Sequence, residues 1–329
     1  MSLQDVKGQA RAIAILRRII GNGSINSSFL FSGRQGIGKH LAAAGMAKAV
    51  NCTGIRQEPW ISDDTCESCT KIDGNIHPDV LQLEIPLPDE TSQMDAVVQA
   101  IAWINTPLFE GRQKVLIVDD ASELNIHAQN AMLKTLEEPP PWSTIIFVAA
   151  SPARLLPTVQ SRLIKVGFNR LSEEVIREIL SSVTPLNGEQ INYVSLFADG
   201  SIRYTTPGDI EHDVRSIVTL LGEVREPDSM VKLAEKFKAP SYKDNFDQIL
   251  GIVLSFFLDA VILQATPSLV RLRGFSDDIR KFADRFGQSA ILRAAWFLEK
   301  ARYASALNIS PQMIMEQALF QLTGDTHDH

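Results

Sequence analysis

The chain has 329 residues, of which 45% are hydrophobic and 22% charged, a composition typical of a globular protein with about two or three domains. Its formal net charge of −7 argues against a dedicated DNA-binding protein, because such proteins concentrate Lys and Arg to displace counterions from phosphates. Three cysteines and the lack of a secretion signal after Met1 predict a protein of the reducing cytoplasm.

One strongly apolar segment, Ile249–Ala265, raises the question of a membrane helix. Ser255, Asp259 and Gln264 interrupt this segment, whereas a spanning helix needs about 20 mostly apolar residues. We therefore expect a buried core helix here and no membrane partner.

The first half of the chain alternates short apolar runs with helical patterns, which predicts a parallel sheet with crossover helices. We expect strands at Ser28–Ser32, Asp79–Glu84, Lys114–Asp119, Thr144–Ala149 and Leu163–Phe168. We expect helices at Lys39–Ala49, Asp95–Ile104 and Ala128–Glu138, the last of which is followed by a run of prolines.

The second half of the chain carries helical signals only. Ser172, followed by two glutamates, predicts the start of a helix, because a serine caps the N-terminus and acidic residues favour the first turn. Short helices are expected to about Arg203, and four or five longer amphipathic helices from there to Leu322.

A glycine-rich loop follows the first expected strand at residues 32–40, Ser-Gly-Arg-Gln-Gly-Ile-Gly-Lys-His. Gly33, Gly36 and Gly38 allow backbone N–H groups to close around phosphate oxygens. Lys39 offers those oxygens a positive charge. The sequence therefore predicts a phosphate cradle that binds ATP or ADP, although these four residues could also be retained for folding alone.

The position after this lysine departs from the usual pattern. A phosphate loop normally has Ser or Thr there, whose hydroxyl binds Mg²⁺, an ion that prefers oxygen ligands in octahedral geometry. This chain has His40, which offers a nitrogen on a bulky ring. We therefore expect Mg²⁺ to be poorly bound and hydrolysis to be weakened or lost.

The apolar strand Val115–Val118 ends in two acids, Asp119 and Asp120. An acidic strand end after a phosphate loop is typical of the second half of a nucleotide site, in which Asp119 would hold Mg²⁺. Asp120 stands where hydrolytic proteins of this type usually have Glu, and its side chain is one methylene shorter. The alternative interpretation is that both aspartates only cap the strand.

The run from Gln129 to Pro140, Gln-Asn-Ala-Met-Leu-Lys-Thr-Leu-Glu-Glu-Pro-Pro, resembles the helix after the acidic strand in bacterial sliding-clamp loader subunits of the AAA+ ATPase class. Other stretches resemble the same family in the same order, namely Val6–Gln9, Gly74–Asp79 and Pro107–Lys114. The resemblance extends over Leu3–Arg203, and further on only in size and pattern. It implies that Gly8 and Gln9 lie near the adenine of a nucleotide.

The resemblance also implies roles for three polar residues, of which Arg162 and Ser151 would contact the γ-phosphate of ATP. Ser161-Arg162-Leu163 resembles the family's Ser-Arg-Cys motif, in which the arginine is a finger that reaches the ATP held by a neighbouring subunit. Arginine suits this role because its charge is permanent and its planar fork fits phosphate oxygens. Ser151 corresponds to a first sensor and Arg203 to a second sensor. The alternatives are a surface arginine for Arg162 and a solvated helix residue for Arg203.

The three cysteines indicate a separate metal site. Cys66-Glu-Ser-Cys69 has the spacing of a zinc knuckle, and Cys52 lies upstream of it. Members of the family have four cysteines in this insertion, and this chain has Asp63 at the position of the fourth. A carboxylate binds zinc, so a Cys₃Asp site is one interpretation, with Asp64 and His77 as poorer substitutes. The other is that the fourth ligand was lost and the knuckle holds no metal.

The resemblance implies the following architecture. An α/β RecA-like AAA+ domain with a parallel sheet would occupy residues 1–168, with the knuckle insertion at about 52–72. A helical lid at 169–210 and an all-α collar domain at 211–322 would follow. We expect residues 323–329 to be a disordered tail.

The departures at His40 and Asp120, together with the retained Arg162, favour a non-motor subunit of the loader. Such a subunit joins ATPase subunits in a hetero-pentamer, and it acts on the sliding clamp and primed DNA through that assembly. The alternative is an active ATPase subunit of the same assembly. A DNA-binding or nuclease-like protein would need basic patches or further carboxylate clusters, which the sequence lacks.

Overall fold

The computed structural model describes residues 1–23, 25–85, 90–183, 187–198, 200–202, 207–224, 227–238, 246–263, 265–304 and 310–323. The chain forms two compact units, one of Met1–Ile179 with Gly200–Arg203 and one of Leu180–Asp199 with Tyr204–His329. The second-sensor candidate Arg203 and the tail from residue 324 onward lie outside the described residues. The division into domain, lid and collar stays a prediction.

The first unit is built on a five-stranded sheet in the order β2-β3-β4-β1-β5, and every neighbouring pair in it is parallel. The strands are β1 (Ser28–Ser32), β2 (Val80–Leu83), β3 (Lys114–Val118), β4 (Ser143–Ala149) and β5 (Ile164–Gly167). The five strands expected from the sequence are confirmed, with ends that differ by one residue or not at all. The expected parallel α/β architecture is therefore correct.

The helices that accompany the sheet are α1 (Ala10–Gly21), α2 (Lys39–Asn51), α3 (Glu67–Asp73), α4 (Glu90–Ile104), α5 (Ile126–Glu137), α6 (Pro157–Gln160) and α7 (Glu173–Val183). Helix α4 begins five residues before the expected start at Asp95, because the polar residues before Asp95 give no apolar periodicity from which a start could be predicted.

The central strands are buried on both faces, which explains their continuous apolar sequences. All five residues of β3 and all seven of β4 are buried, whereas the edge strand β5 buries only Val166. On one face the core contains Val97 and Ile104 of α4 and Met132 of α5, which pack in one cluster with Leu116 of β3. This packing fixes the strand ends, where the candidate site lies.

The strand register brings the polar ends of three strands to one edge of the sheet. Ser32 at the end of β1 pairs with Ala149 of β4, and Val118 at the end of β3 pairs with Phe147. In open α/β sheets ligands bind outside the carboxyl ends of the strands. The glycine loop after β1 and the two aspartates after β3 therefore lie next to each other.

The second unit is helical in its described part. Its helices are α8 (Gly188–Phe197), α9 (Pro207–Glu223), α10 (Pro227–Lys236), α11 (Phe246–Ile262), α12 (Ser276–Phe286), α13 (Gln288–Ala304) and α14 (Pro311–Phe320). From α9 onward the described residues form six helices rather than the four or five expected. Part of the difference arises at Gly287, whose φ of 71° separates α12 from α13 where the sequence pattern is nearly continuous.

Residues 249–262 of the apolar segment lie in a core helix of the second unit, as expected. Phe256 and Phe257 of α11 are fully buried and contact Phe282 of α12, with ring centroids 5.0 and 5.5 Å apart. Asp259 interrupts the apolar pattern because its carboxylate accepts hydrogen bonds from the backbone N–H groups of Arg271 and Leu272. Within the described residues, none of the helices has the length and apolarity to cross a bilayer.

Candidate functional site

The glycine loop has the backbone geometry that the sequence predicts for a phosphate cradle. Gly33 has a φ of 146°, and a Cβ there would lie 2.6 Å from the carbonyl oxygen of Phe168. Gly38 has a φ of 93° and is the residue from which α2 begins. Backbone N–H groups at the start of a helix are open to an anion. The loop therefore requires glycine at both positions, for space at one and for left-handed backbone at both.

Lys39 is folded into the loop. Its side chain is buried, and Nζ donates a hydrogen bond of 2.7 Å to the carbonyl oxygen of Gly33 and another to that of Arg34. Burial lowers the pKa of Lys39 from its usual 10.5 to about 8, and the negative charges of Asp119 and Asp120 oppose that change. An anion in the cradle would further favour the charged form of this lysine.

His40 points at the acidic end of β3. Its Nδ1 lies 2.9 Å from Oδ2 of Asp119, an approach that is a charge contact rather than a well-aligned hydrogen bond. This contact with Asp119 raises the pKa of His40 above 6.5, although burial opposes the shift. For Asp119 itself, burial alone would raise the pKa, but the contact with His40 outweighs it and the net pKa is lowered. The contact therefore favours the charged forms of both residues.

The residues around Asp119 do not fit Mg²⁺. The position that should offer a hydroxyl oxygen offers an imidazole nitrogen, which is a poor ligand for this hard ion. Both oxygens of the carboxylate are already engaged, since Oδ2 contacts His40 and Oδ1 accepts the backbone N–H of Asp120 at 3.0 Å. Weak binding of Mg²⁺ stays a prediction, and the contact between His40 and Asp119 gives a physical reason for it.

Asp120 and the loop enclose an open cleft of about 410 Å³. Asp120 has a left-handed backbone with a φ of 44°, and its Oδ1 accepts a hydrogen bond of 3.3 Å from Nε2 of Gln35. The cleft is lined by Gln35, Gly36, Gly38, Lys39, His40, Leu41, Asp119, Asp120 and Val148. The structure therefore brings together the loop and the acidic strand end, as the sequence predicts.

Gly8 and Gln9 lie outside the lining of this cleft and connect segments of the first unit. Nε2 of Gln9 donates to the carbonyl oxygens of Ile37 and Asn169, and Oε1 accepts the N–H of Asn169. Gly8 has a φ of 74°, and a Cβ there would lie 2.7 Å from the side chain of Leu171. The Gln9 amide therefore positions the phosphate loop, and an adenine contact by either residue stays a prediction.

Ser151 follows β4 by two residues, at the carboxyl edge of the sheet. Its backbone N–H donates to Oγ of Ser122 at 3.0 Å, and the Ser122 hydroxyl donates back to the carbonyl oxygen of Ser151. This pair joins the turn after β3 to the turn after β4. Ser151 is not part of the cleft lining, so its role as a sensor stays a prediction.

Arg162 lies just before β5 and is held within its own chain. Its Nε and Nη2 both donate to Oε1 of Glu137, the former at 2.9 Å. Nη1 donates to the carbonyl oxygen of Thr158 at 2.7 Å and to Oγ of Ser161. The side chain is 32% exposed and is absent from the lining of the cleft. A role of Arg162 toward a neighbouring subunit stays a prediction.

The three cysteines and Asp63 form one cluster, whose four ligand atoms lie within 4.8 Å of one another. Sγ of Cys52 lies 3.9 Å from Sγ of Cys66. That separation is far too long for a disulfide, and it is close to the roughly 3.8 Å between two sulfurs bound to one tetrahedral zinc at 2.3 Å. The donor set and its spacing therefore fit zinc.

Backbone hydrogen bonds support this cluster. The N–H of Cys69 donates to Sγ of Cys66, and the N–H of Asp63 donates to Sγ of Cys52, both at 3.5 Å. Burial alone would raise the pKa of Cys66, but hydrogen bonds from Thr53 and Cys69 outweigh it and lower that pKa to about 7. Burial raises the pKa of Cys69. The knuckle therefore already favours one thiolate.

Asp63 is built into position. Oδ1 accepts the backbone N–H groups of Thr65 and Cys66, and a Cβ on Gly54 would lie 1.5 Å from Oδ2. The weaker candidates have other partners: Asp64 contacts the buried Lys48, and both ring nitrogens of His77 are engaged, by Ser68 and by the N–H of Asp79.

Sequence reasoning missed the partners of the candidate residues. In the sequence, Glu137 falls within the expected helix Ala128–Glu138 and Gln35 within the glycine loop, and neither is a candidate site residue. Their pairing with Arg162 and Asp120 joins residues 25 and 85 positions apart. The Glu-Glu-Pro-Pro end of α5 was a usable signal, because a fixed helix end places its last acidic side chains reproducibly.

The parallel sheet has a glycine loop after β1 and two acids after β3, which is separated from β1 by β4. This arrangement defines a RecA-like α/β domain of the AAA+ type. The family model described as DNA polymerase III, delta subunit, matches residues 8–172, which is half of the chain. The chain belongs to this family.

Curated subunits of DNA polymerase III are similar in sequence to the chain. The tau subunit of DNA polymerase III from Salmonella typhimurium is 30% identical over 251 residues, which cover 70% of this chain and 37% of that protein. The gamma subunit from Buchnera aphidicola subsp. Schizaphis graminum is 29% identical over 208 residues, covering 61% of this chain and 56% of that protein. The chain thus spans less than two thirds of the length of these relatives.

Among solved structures, a gamma subunit-related protein of DNA polymerase III from Thermotoga maritima covers 94% of this chain and 97% of its own length. Its sequence identity is 16% and its TM-score is 0.43.

Proposed function

We propose that this chain is a non-motor subunit, of the delta-prime type, of a bacterial DNA polymerase III clamp loader. It assembles with ATPase subunits of the gamma or tau type and with a delta-type subunit in a hetero-pentamer. Arg162 completes the ATP site of a neighbouring subunit, so that the assembly loads the sliding clamp on primed DNA in the cytoplasm. Residues 169–210 act as the lid and 211–322 as the collar of the ring.

The observation that carries this proposal is the contact between His40 and Asp119. Phosphoryl transfer in this class depends on a Mg²⁺ that bridges phosphate oxygens and is held by a hydroxyl and an acid. Here the hydroxyl is replaced by an imidazole, whose Nδ1 lies 2.9 Å from that acid. A subunit with such a site is suited to a passive place in a ring of ATPases.

Asp120 supports the same conclusion. A water-activating acid has to lie within hydrogen-bond reach of the attacking water. Asp120 is shorter than the usual glutamate, and Oδ1 accepts a hydrogen bond from Gln35 on the loop. ATP hydrolysis in this cleft is therefore disfavoured twice, because Mg²⁺ would be poorly bound and because Asp120 is poorly placed to activate the attacking water.

Arg162 supports the role in trans. Its guanidinium is partly exposed and is pre-positioned by Glu137 and Thr158. An arginine finger contributes about 10³–10⁵ in rate in well-studied phosphoryl-transfer systems. A subunit without its own chemistry still controls the chemistry of its neighbour by this means.

One alternative has its own support. The glycine loop and Lys39 are intact, and the matched relatives are tau and gamma subunits. An active ATPase subunit of the same assembly would show turnover by the isolated chain that is lost in Lys39→Ala.

We also propose that Cys52, Asp63, Cys66 and Cys69 hold a structural zinc. The cluster is on a lobe formed by α3 and its preceding loop, and no residue of the nucleotide cleft belongs to it. Its role is therefore to stabilise the fold, without part in the chemistry.

The test is ATP turnover in an assembly reconstituted with gamma- or tau-type subunits, a delta-type subunit, clamp and primed DNA. We expect no turnover by the isolated chain, and turnover by the assembly that falls at least about tenfold in Arg162→Ala at the affected site. The matched control is Arg177→Ala, since Arg177 is also a surface arginine paired with a glutamate. Unchanged turnover and clamp loading with Arg162→Ala in a fully assembled complex would show that the arginine has no role in trans.

A further inference from the structure

The misfit between this site and Mg²⁺ raises the question of what the intact cradle binds. The loop retains its left-handed glycines, and Lys39 remains at the start of α2. The cleft next to them has a volume of about 410 Å³. The glycines and Lys39 are therefore placed beside an open space that is lined by Lys39 and the two aspartates.

We propose that this cleft binds a nucleoside diphosphate as a metal-free anion, with the side chain of His40 in the place of the divalent cation. The proposal does not depend on Arg162 acting in trans, because it concerns only the chain's own cleft.

The first step of the argument is charge. In an ordinary site the cation offsets the repulsion between the strand-end acid and the phosphates. Here Nδ1 of His40 lies 2.9 Å from Oδ2 of Asp119 and offsets the charge of that carboxylate directly. The remaining acid, Asp120, is turned toward Gln35, whose amide donates to its Oδ1.

The second step is the donor set for the phosphates. The backbone N–H groups of a glycine loop and of a helix start bind phosphate oxygens without any metal. Nζ of Lys39 now donates to the carbonyl oxygens of Gly33 and Arg34, and it is close enough to the loop to exchange them for phosphate oxygens. These donors satisfy two phosphates, and a third phosphate would approach the two aspartates without a cation to separate them.

The test is the affinity of the full chain for a fluorescent ADP analogue, measured with Mg²⁺, with Mn²⁺ and with EDTA. Mn²⁺ is included because it accepts nitrogen ligands more readily than Mg²⁺ does. We expect the three dissociation constants to agree within about threefold, whereas a site that uses the cation would lose about tenfold or more in EDTA. Binding that is tightened tenfold by either metal overturns the proposal, and so does a lack of binding in all three conditions.

A variant provides an independent measurement. His40→Thr restores the hydroxyl and frees Asp119, so we expect its affinity for the analogue to become dependent on Mg²⁺ by about tenfold or more. The matched control is His127→Thr, since His127 is an exposed histidine on α5 outside the cleft. A His40→Thr protein that folds, judged by its thermal transition, yet binds equally with and without Mg²⁺ would show that His40 does not replace the cation. Failure of either test leaves the role of Arg162 intact, because that role is measured as turnover by the neighbouring subunit.

Discussion

At the scale of single residues, the burial of Lys39 sets the pH range in which the cradle attracts an anion. Desolvation lowers the pKa of this lysine to about 8 even though Asp119 and Asp120 oppose the change. Below that pH the side chain is charged and favours phosphate, and above it the charge is lost. Because an anion binds the charged form, its affinity has to decline as pH rises through this value.

We predict that the affinity of the chain for ADP falls by about tenfold between pH 7 and pH 9, since each unit above the pKa removes about 1.4 kcal/mol of the interaction with the charged form. The measurement is a titration with the fluorescent analogue at several pH values. In Lys39→Arg the charge is permanent, so the decline over this range should flatten. An equal decline in both proteins would assign the pH dependence to another group.

The pair of Arg162 and Glu137 is a surface interaction, with side chains 32% and 49% exposed. Exposed pairs of this kind contribute about 0–1 kcal/mol to stability. We therefore predict that Arg162→Ala lowers the free energy of unfolding by less than about 1 kcal/mol, measured by denaturant titration. Only if Arg162→Ala stays this stable can a loss of ATP turnover be attributed to the missing guanidinium. A decrease of several kcal/mol in the free energy of unfolding would contradict the prediction.

At the scale of elements, a buried acid shapes the approach to β3. Asp79 is completely buried and accepts backbone N–H groups of Phe109, Glu110 and Gly111, and Lys114 lies 3.6 Å from it. Burial alone would raise the pKa of Asp79, but these donors outweigh it and the net pKa is lowered. The acid therefore fixes the loop that leads into β3.

We predict that Asp79→Ala destabilises the chain by about 3–5 kcal/mol, because it leaves Lys114 buried without its carboxylate. Asp79→Asn keeps one acceptor oxygen and should cost less, about 1–3 kcal/mol. A lowered pKa in the folded state means that the contribution of Asp79 is present above its usual pKa of 3.8 and is lost as pH falls through the lower folded value. Denaturant titrations at pH 7 and below pH 4 check both the size and the sign. A loss below 1 kcal/mol in Asp79→Ala would contradict this account.

The knuckle element gives a prediction of its own. We expect one zinc per chain, with an affinity for zinc that rises in Asp63→Cys and falls by about tenfold or more in Asp63→Ala. Loss of a residue that only supports a zinc ligand already lowers zinc affinity by about tenfold, so loss of a ligand should cost at least as much. The metal content of the purified chain measures the stoichiometry, and competition with a chelating dye measures the affinity. Removal of the metal should lower the temperature of the thermal transition. Glu67→Ala is the control, because Glu67 lies between two ligands in the sequence and is 81% exposed. Zinc-free protein would leave the knuckle without a metal, whereas unchanged zinc affinity in Asp63→Ala would exclude Asp63 as the fourth ligand.

At the scale of the whole molecule, the cleft and Arg162 are separate features of the first unit. The cleft has its own loop and acids, while the arginine is held by Glu137 and is not part of the cleft lining. That the chain acts beside a neighbouring subunit therefore stays a prediction, which turnover by the reconstituted assembly tests.

We predict that His40→Thr alone does not confer fast ATP turnover on the isolated chain. Asp120 would still be too short and bound to Gln35, and no arginine of a neighbour would reach this cleft. The measurement is phosphate release by the purified variant. Turnover near the typical enzyme value of about 10 s⁻¹ would contradict the prediction and would make His40 the sole obstacle.

The sequence alone determined the parallel sheet, the phosphate loop and the acidic strand end, because each is encoded locally by an apolar run, by glycines or by residues directly after a strand. It also determined the cysteine cluster, since fixed spacing on one short segment places ligands together. Only the tertiary structure decided that His40 contacts Asp119 and that Glu137 holds Arg162. It also decided that the Gln9 amide hydrogen-bonds the backbone of Ile37 and Asn169. These contacts join residues 79, 25 and 160 positions apart, and the physical reason they escaped prediction is that side-chain pairing depends on how the strands and helices pack, which no local pattern records.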